Sequence, residues 1–300
     1  MLDFISYPIG AFLRIIYNTL AFKNYGLSII LLTVIIKTLV LPLTIKQYRS
    51  TAKISEIQPQ IQEIQKKYKN DPQKLNAETV KLYQEYKINP ASGCLPLLIQ
   101  MPVLFSLYYV ISQPLKYMFK IPKDVISQIF SMIPAEAVKS SNLHDLSIID
   151  YFSHNLDKLS SANGLITQDN LLNMKFFGIN LGAIPSLDPS RLFGSSPDMQ
   201  AWYLLIIPVL AIVTTFISTK YSMNQTPQQN TNPSQNSMMN SMTLISPIMT
   251  GFISFTVPAG LGIYWIISNV FQLGQQLFMN KYIINKASSS KNKPLSEPSS

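Results

Sequence analysis

Across 300 residues, 47% hydrophobic side chains stand against only 13% charged ones, too little charge to cover a soluble surface, which excludes an ordinary cytosolic enzyme. The net charge of +9, from 24 Lys and Arg against 15 Asp and Glu, suits an anionic membrane face, nucleic acid or ribosomal RNA, and only its distribution along the chain distinguishes them. One cysteine, Cys94, and two histidines, His144 and His154, leave no internal disulfide, CxxC pair or zinc set, so neither a metal nor a redox cofactor is expected.

Residues 1–24 are apolar, yet Asp3, the missing basic start and the missing small-residue cleavage site set them apart from a signal peptide. Ile5, Ile9, Phe12, Ile16 and Leu20 recur at helical spacing, with Arg14, Asn18 and Lys23 elsewhere. This predicts an amphipathic helix lying in the membrane interface, with a further span as the alternative. A bilayer core about 30 Å thick needs roughly 20 apolar residues in a helix, and runs of that kind occur five times.

The first span, 25–45, is interrupted only by Lys37. Residues 46–90 then read as two helices split at Asn70-Asp71-Pro72, with a stripe of Ile54, Ile57, Ile61 and Ile64 on one and of Leu75, Leu82 and Tyr86 on the other. The pattern predicts an antiparallel helical hairpin, its first arm kinked at Pro59 or starting there. Its mixed charges form either a solvated face or a docking platform for a cytosolic partner or anionic headgroups. The second span is 91–112. Residues 113–198 hold short apolar patches, around 126–133, 146–152 and 174–184, which predict short helices at the membrane surface. The third span, 199–219, leads to 220–241, rich in Gln, Asn, Ser and Pro and so expected to be a flexible loop. The last two spans share 242–279 and reverse at Pro258-Ala259-Gly260, and 280–300 form a basic tail.

Orientation follows from charge, because short loops rich in Lys and Arg stay in the cytoplasm. Residues 46–90 carry nine bases against five acids, whereas 113–198 carry seven against eight. Lys220 and the tail lysines are basic again. The N-terminus and residues 113–198 are therefore expected outside, with the hairpin and the C-terminus in the cytoplasm.

Lys37 lies near the middle of its span, where a charge is costly unless it faces protein or water. About eight residues, roughly 12 Å of helix, separate it from Ile45, a long reach for a side chain that would snorkel to the surface. The other spans contain no Asp or Glu, so its natural partner is an anion arriving from elsewhere, met in a hydrated pocket. Gln100, Ser218, Tyr264, Trp265 and Asn269 are candidates to line that pocket, although ordinary helix packing, or an interfacial aromatic belt for Tyr264 and Trp265, explains each one singly. No fixed repeat, GxGxxG, P-loop, HExxH or GxSxG occurs, so no catalytic residue is assigned.

The run NPASGCLPLLIQMPVLFSLYYVI (89–111), the run LPLTIKQYRSTAKISEIQPQIQEIQKKY (41–68) and the run VPAGLGIYWIISNVFQLGQQ (257–276) resemble, in order and spacing, the core of the YidC membrane-protein insertases. The resemblance implies an all-α polytopic membrane protein of the bacterial plasma membrane. Five transmembrane helices would surround a hydrophilic groove open to the cytoplasm and to lipid, with a cytoplasmic helical hairpin that receives substrate. It implies insertion of nascent membrane proteins into the lipid bilayer, alone or beside the Sec translocon and ribosome. Neither ATP hydrolysis by the insertase nor sequence-specific nucleic-acid binding is implied. The family's groove arginine matches Lys37, which keeps the charge without arginine's bidentate fork. Trp265 matches a groove-facing tryptophan, and Ser218 stands where the family often has glutamine. No lipobox cysteine occurs near the N-terminus and no large periplasmic domain precedes the first span, so neither feature of other members is expected. The competing reading is a small transporter or channel binding an anion at Lys37, although five spans do not divide into the paired repeats of a transporter. An intramembrane enzyme would need a nucleophile and base or a metal set in the spans, and the spans show neither.

Overall fold

The computed structural model describes residues 2–87, 95–138, 143–162, 164–194, 198–225 and 245–281. Cys94, the polar loop from 226 onward and the basic tail from 282 onward lie outside the described residues.

Helix α1, Asp3–Thr19, buries Ser6, Gly10, Leu13, Ile16 and Tyr17 against neighbouring helices. That face is rotated from the apolar stripe read in the sequence: Ile16 belongs to both, but Phe12 and Leu20 are 39% and 57% exposed. Gly10 accounts for the rotation, because its missing side chain lets the helix come onto the Tyr117 backbone, which a Cβ would overlap. Asp3 accepts a hydrogen bond from the Tyr117 hydroxyl at 2.8 Å and pairs with Lys116 at 3.4 Å, tying down the start of the helix.

Helix α2, Tyr25–Lys67, begins where the Asn24 side chain accepts the Leu27 N–H at 3.0 Å, satisfying one of the donors that a helix start leaves open. Its 43 residues continue through Pro42 and Pro59. At 1.5 Å per residue they extend about 65 Å, twice the thickness of a bilayer core. The first part, Tyr25–Ile54, is long and apolar enough to cross a membrane, and the remaining residues to Lys67 continue the same helix. The next helix, α3 (Pro72–Glu85), is started by Pro72 in its first turn and by Asp71, which accepts the Lys74 N–H at 3.1 Å. Ile57 and Ile61 of α2 bury against Leu82 of α3, and Gln60 donates to the Tyr86 hydroxyl at 2.8 Å.

After α4 (Leu95–Ser112) come α5 (Pro114–Tyr117), α6 (Lys123–Ser131) and α7 (His144–His154). An antiparallel hairpin of β1 (Lys175–Phe176) and β2 (Ile179–Asn180) follows, then α8 (Pro189–Phe193). The hairpin is additional to the short helices expected here; strands of two residues are too short to leave a period-two signal. Tyr25, Ile29 and Leu32 of α2 join Leu107 and Ile111 of α4 and Ile148 and Phe152 of α7 in one apolar core, so this segment is welded to the ends of the long helices. Asp145 on α7 is 3% exposed, and its carboxylate accepts the Lys116 N–H at 3.1 Å. Burial pushes its pKa up to about 7.

Helix α9, Met199–Gln225, α10, Ile245–Ser254, and α11, Ala259–Met279, complete the described chain. The first N–H groups of α11 are satisfied from outside the helix: Ala259 donates to the Ala183 carbonyl and Gly260 to the Leu181 carbonyl, both at 2.9 Å. Helix α11 packs on α9 and α2, and Gly262 admits Ile207 into the space a side chain would occupy.

Two helices among the described residues, Tyr25–Ile54 and Met199–Met223, are long and apolar enough by themselves to cross a membrane. The apolar stretches Gln100–Ser112 of α4 and Ile245–Ser254 of α10 are shorter. Helix α11 has the length, but Ser268, Asn269, Gln272, Gln275 and Gln276 reduce its apolarity.

Candidate functional site

Lys37 is the one charged residue in the apolar first half of α2, about 18 Å along the helix from Tyr25 at 1.5 Å per residue. It is partly buried, and among the described residues it has neither a hydrogen-bond nor an ion-pair partner. The hydroxyls nearest in sequence turn back onto their own helix: Thr33 donates to the Ile29 carbonyl at 2.6 Å and Thr38 to Val34 at 2.8 Å. Ile35 and Ile36 beside it pack on the main apolar core. The ammonium is thus a cation on an apolar helix whose charge is left for something other than this chain's described side chains to balance.

The remaining sequence candidates sit mainly on α11. Tyr264 is buried, and its hydroxyl accepts a hydrogen bond from Gln100 Nε2 of α4 at 2.8 Å. Five residues on, Asn269 donates to the Thr215 hydroxyl of α9 at 2.8 Å and lies 3.3 Å from that of Thr214. Ser218 is buried on α9, one turn beyond Thr215. Trp265 is partly buried and packs against the main core. Gln100 and Tyr264 therefore touch, while Asn269 bonds α9 rather than another candidate.

Several polar residues of the same helices were not singled out from the sequence. Gln47, Thr215, Ser268 and Gln276 are all buried, and Gln276 is hydrogen-bonded to the Tyr48 hydroxyl of α2. Spacing carries part of the signal for Thr215 and Gln276: Asn269, Gln272 and Gln276 on α11, and Thr215, Ser218 and Ser222 on α9, recur at three and four residues, which puts them on one face of each helix without showing that the face is enclosed. Helix α11 is thereby linked by polar side chains to α4, α9 and α2, as expected where apolar solvent gives helices no hydrophobic reason to associate.

A cavity of about 110 Å³ lined by Ser147, Asp150, Asn180, Asp198 and neighbours lies between α7, the β-hairpin and the start of α9, and includes none of the six candidates. Among the described residues no cluster of His, Cys, Asp and Glu is arranged to hold a metal.

Apolar helices of membrane-crossing length, with buried polar side chains cross-linking the helix bundle, are the make-up of a helical integral membrane protein. Residues 16–287 match the family described as 60Kd inner membrane protein, and the chain belongs to that family. Among its relatives, a protein of Caldanaerobacter subterraneus subsp. tengcongensis is 34% identical over 92% of this chain and 95% of its own length. One of Clostridium tetani is 33% identical over 86% and 82%, and one of Oceanobacillus iheyensis 30% over 88% and 77%. All three bear the name membrane protein insertase YidC, which is the name of an insertase and not of an enzyme.

Proposed function

We propose that this chain inserts nascent membrane proteins into the bilayer of the bacterial inner membrane, as its relatives' names say of them, and that Lys37 carries the step. The observation behind this reading is the partly buried ammonium with no partner among the described residues, on a helix long enough to cross the membrane.

In this reading five helices cross, α2, α4, α9, α10 and α11, with the N-terminus outside and the C-terminus inside. Lys37, Gln100, Ser218, Tyr264, Trp265 and Asn269 face a hydrophilic groove, and the α2–α3 hairpin receives substrate on the cytoplasmic side. The basic excess of residues 46–90 supports that sidedness. The Gln100–Tyr264 and Asn269–Thr215 bonds act as ties that hold the groove's walls, so the charge is the groove's attracting element and the amides are its frame.

An acidic or polar tail of the substrate enters this groove partway through the membrane. Two unit charges about 4 Å apart attract by about 4 kcal/mol at an effective dielectric of 20, comparable to the roughly 3 kcal/mol of placing one carboxylate at a helix centre. A single cation thus offsets the main barrier. The substrate's apolar stretch then partitions into lipid, which drives release without nucleotide. The Sec translocon and the ribosome are partners in this reading, delivering substrates at the hairpin.

The test is reconstitution. Purified protein in liposomes is expected to raise the protease-protected fraction of a single-span substrate with an acidic N-terminal tail several-fold over protein-free liposomes. Equal protection in both would contradict the reading.

A further inference from the structure

Two turns meet at the start of α2, and each points a phenylalanine at the surroundings. Phe22, in the turn between α1 and α2, is 86% exposed, and Phe177, at the tip of the β-hairpin, is 90% exposed. Both adopt positive φ, +50° and +48°, as does Lys23 at +56°. A bulky non-glycine residue in that region carries a steric cost, and such a conformation is kept where the surroundings hold it.

Here the surroundings do hold it. Asn24 Nδ2 donates to the Lys175 carbonyl at 3.0 Å, the Tyr25 N–H donates to the Asn173 carbonyl at 3.1 Å, and the Asn173 N–H donates to the Tyr17 hydroxyl at 2.9 Å. Gly26 leaves room for the Phe176 ring, which stands edge-on to Phe177 with centroids 4.6 Å apart. The two turns form one rigid block, and its aromatic tips are left uncovered.

We infer that Phe22 and Phe177 are seated in the acyl chains of the leaflet where α2 begins, with Lys23 and Lys175 against the phospholipid phosphates. Position selects lipid as the occupant: Phe22 is three residues before the apolar stretch Tyr25–Ile54, so the block lies at the level where a spanning helix leaves the hydrocarbon. Charge selects it too. Each phenylalanine has an exposed lysine within two residues, Lys23 beside Phe22 and Lys175 before Phe177, the pairing of apolar body and cationic rim that suits a headgroup boundary. The seat fixes the height of α2, and with it the depth of Lys37. The inference rests on α2 crossing the bilayer.

Single cysteines at Phe22, Phe177, Asp169 and Val34, each in a Cys94→Ser background, take the same environment-sensitive fluorophore in proteoliposomes of phosphatidylethanolamine and phosphatidylglycerol. Labels at Phe22 and Phe177 are expected to be quenched at least twofold by a nitroxide on carbon 5 of the acyl chains and shielded from aqueous iodide. The exposed Asp169 position shows what the label does alone, and its quenching is expected to be the reverse. Iodide quenching at Phe22 and Phe177 equal to that at Asp169 would overturn the inference. Failure of a deep nitroxide to quench the label at Val34 would instead remove the span on which it rests.

Discussion

At Asp145 a carboxylate is held away from water where α7 meets α5, facing Lys116 and Tyr25, and burial raises its pKa to about 7. An acid whose folded pKa lies above its unfolded value favours folding when protonated. Its contribution is full below about pH 4 and is lost as pH rises through 7. The thermal midpoint of the detergent-solubilised protein is therefore expected to fall between pH 5 and pH 8, by an amount on the order of 2 kcal/mol of stability. Asp145→Asn should flatten that fall; an unchanged pH profile would contradict this account of the carboxylate. Lys37 was legible in the sequence because one charge in an apolar run is conspicuous. Asp145 was not, because an acid in a mixed segment looks like any surface acid until the fold buries it. Thr215 and Gln276 were missed for a similar reason: hydroxyls and amides are common on spanning helices, and only the packing of α11 shows which are enclosed.

At the scale of elements, the ties of α11 should be measurable and modest. Asn269→Ala and Thr215→Ala, alone and together, are expected to show a coupling of about 0.6 kcal/mol, the average for hydrogen bonds between membrane helices, with about 1.7 as the upper end. Strict additivity would show that the 2.8 Å contact contributes nothing to stability. The α2–α3 pair rests on a small core, Ile57, Ile61 and Leu82. Leu82→Asp is expected to raise amide exchange through α3 by more than tenfold while leaving Tyr25–Ile54 protected; protection unchanged in α3 would contradict that packing. The break at Asn70-Asp71-Pro72 could be read from the sequence because proline and an N-cap residue act locally. The buried face of α1 could not, since Gly10 sets it through a contact with Tyr117 more than a hundred residues away.

For the whole molecule, the same charge counts that orient the chain predict which side of the membrane each segment faces. A cysteine at Asp169 should react with an impermeant maleimide from outside intact cells and one at Lys74 only after lysis, and the reverse pattern would invert the proposed topology. The central claim is that insertion depends on the cation of α2. It is tested most directly in cells depleted of their own insertase, carrying this protein, its Lys37→Arg variant or its Lys37→Ala variant, with a reporter whose N-terminal tail is acidic. The account predicts insertion restored by the native chain and by Lys37→Arg, and lost with Lys37→Ala at equal membrane levels of all three. Restoration by Lys37→Ala as complete as by the native chain would contradict it.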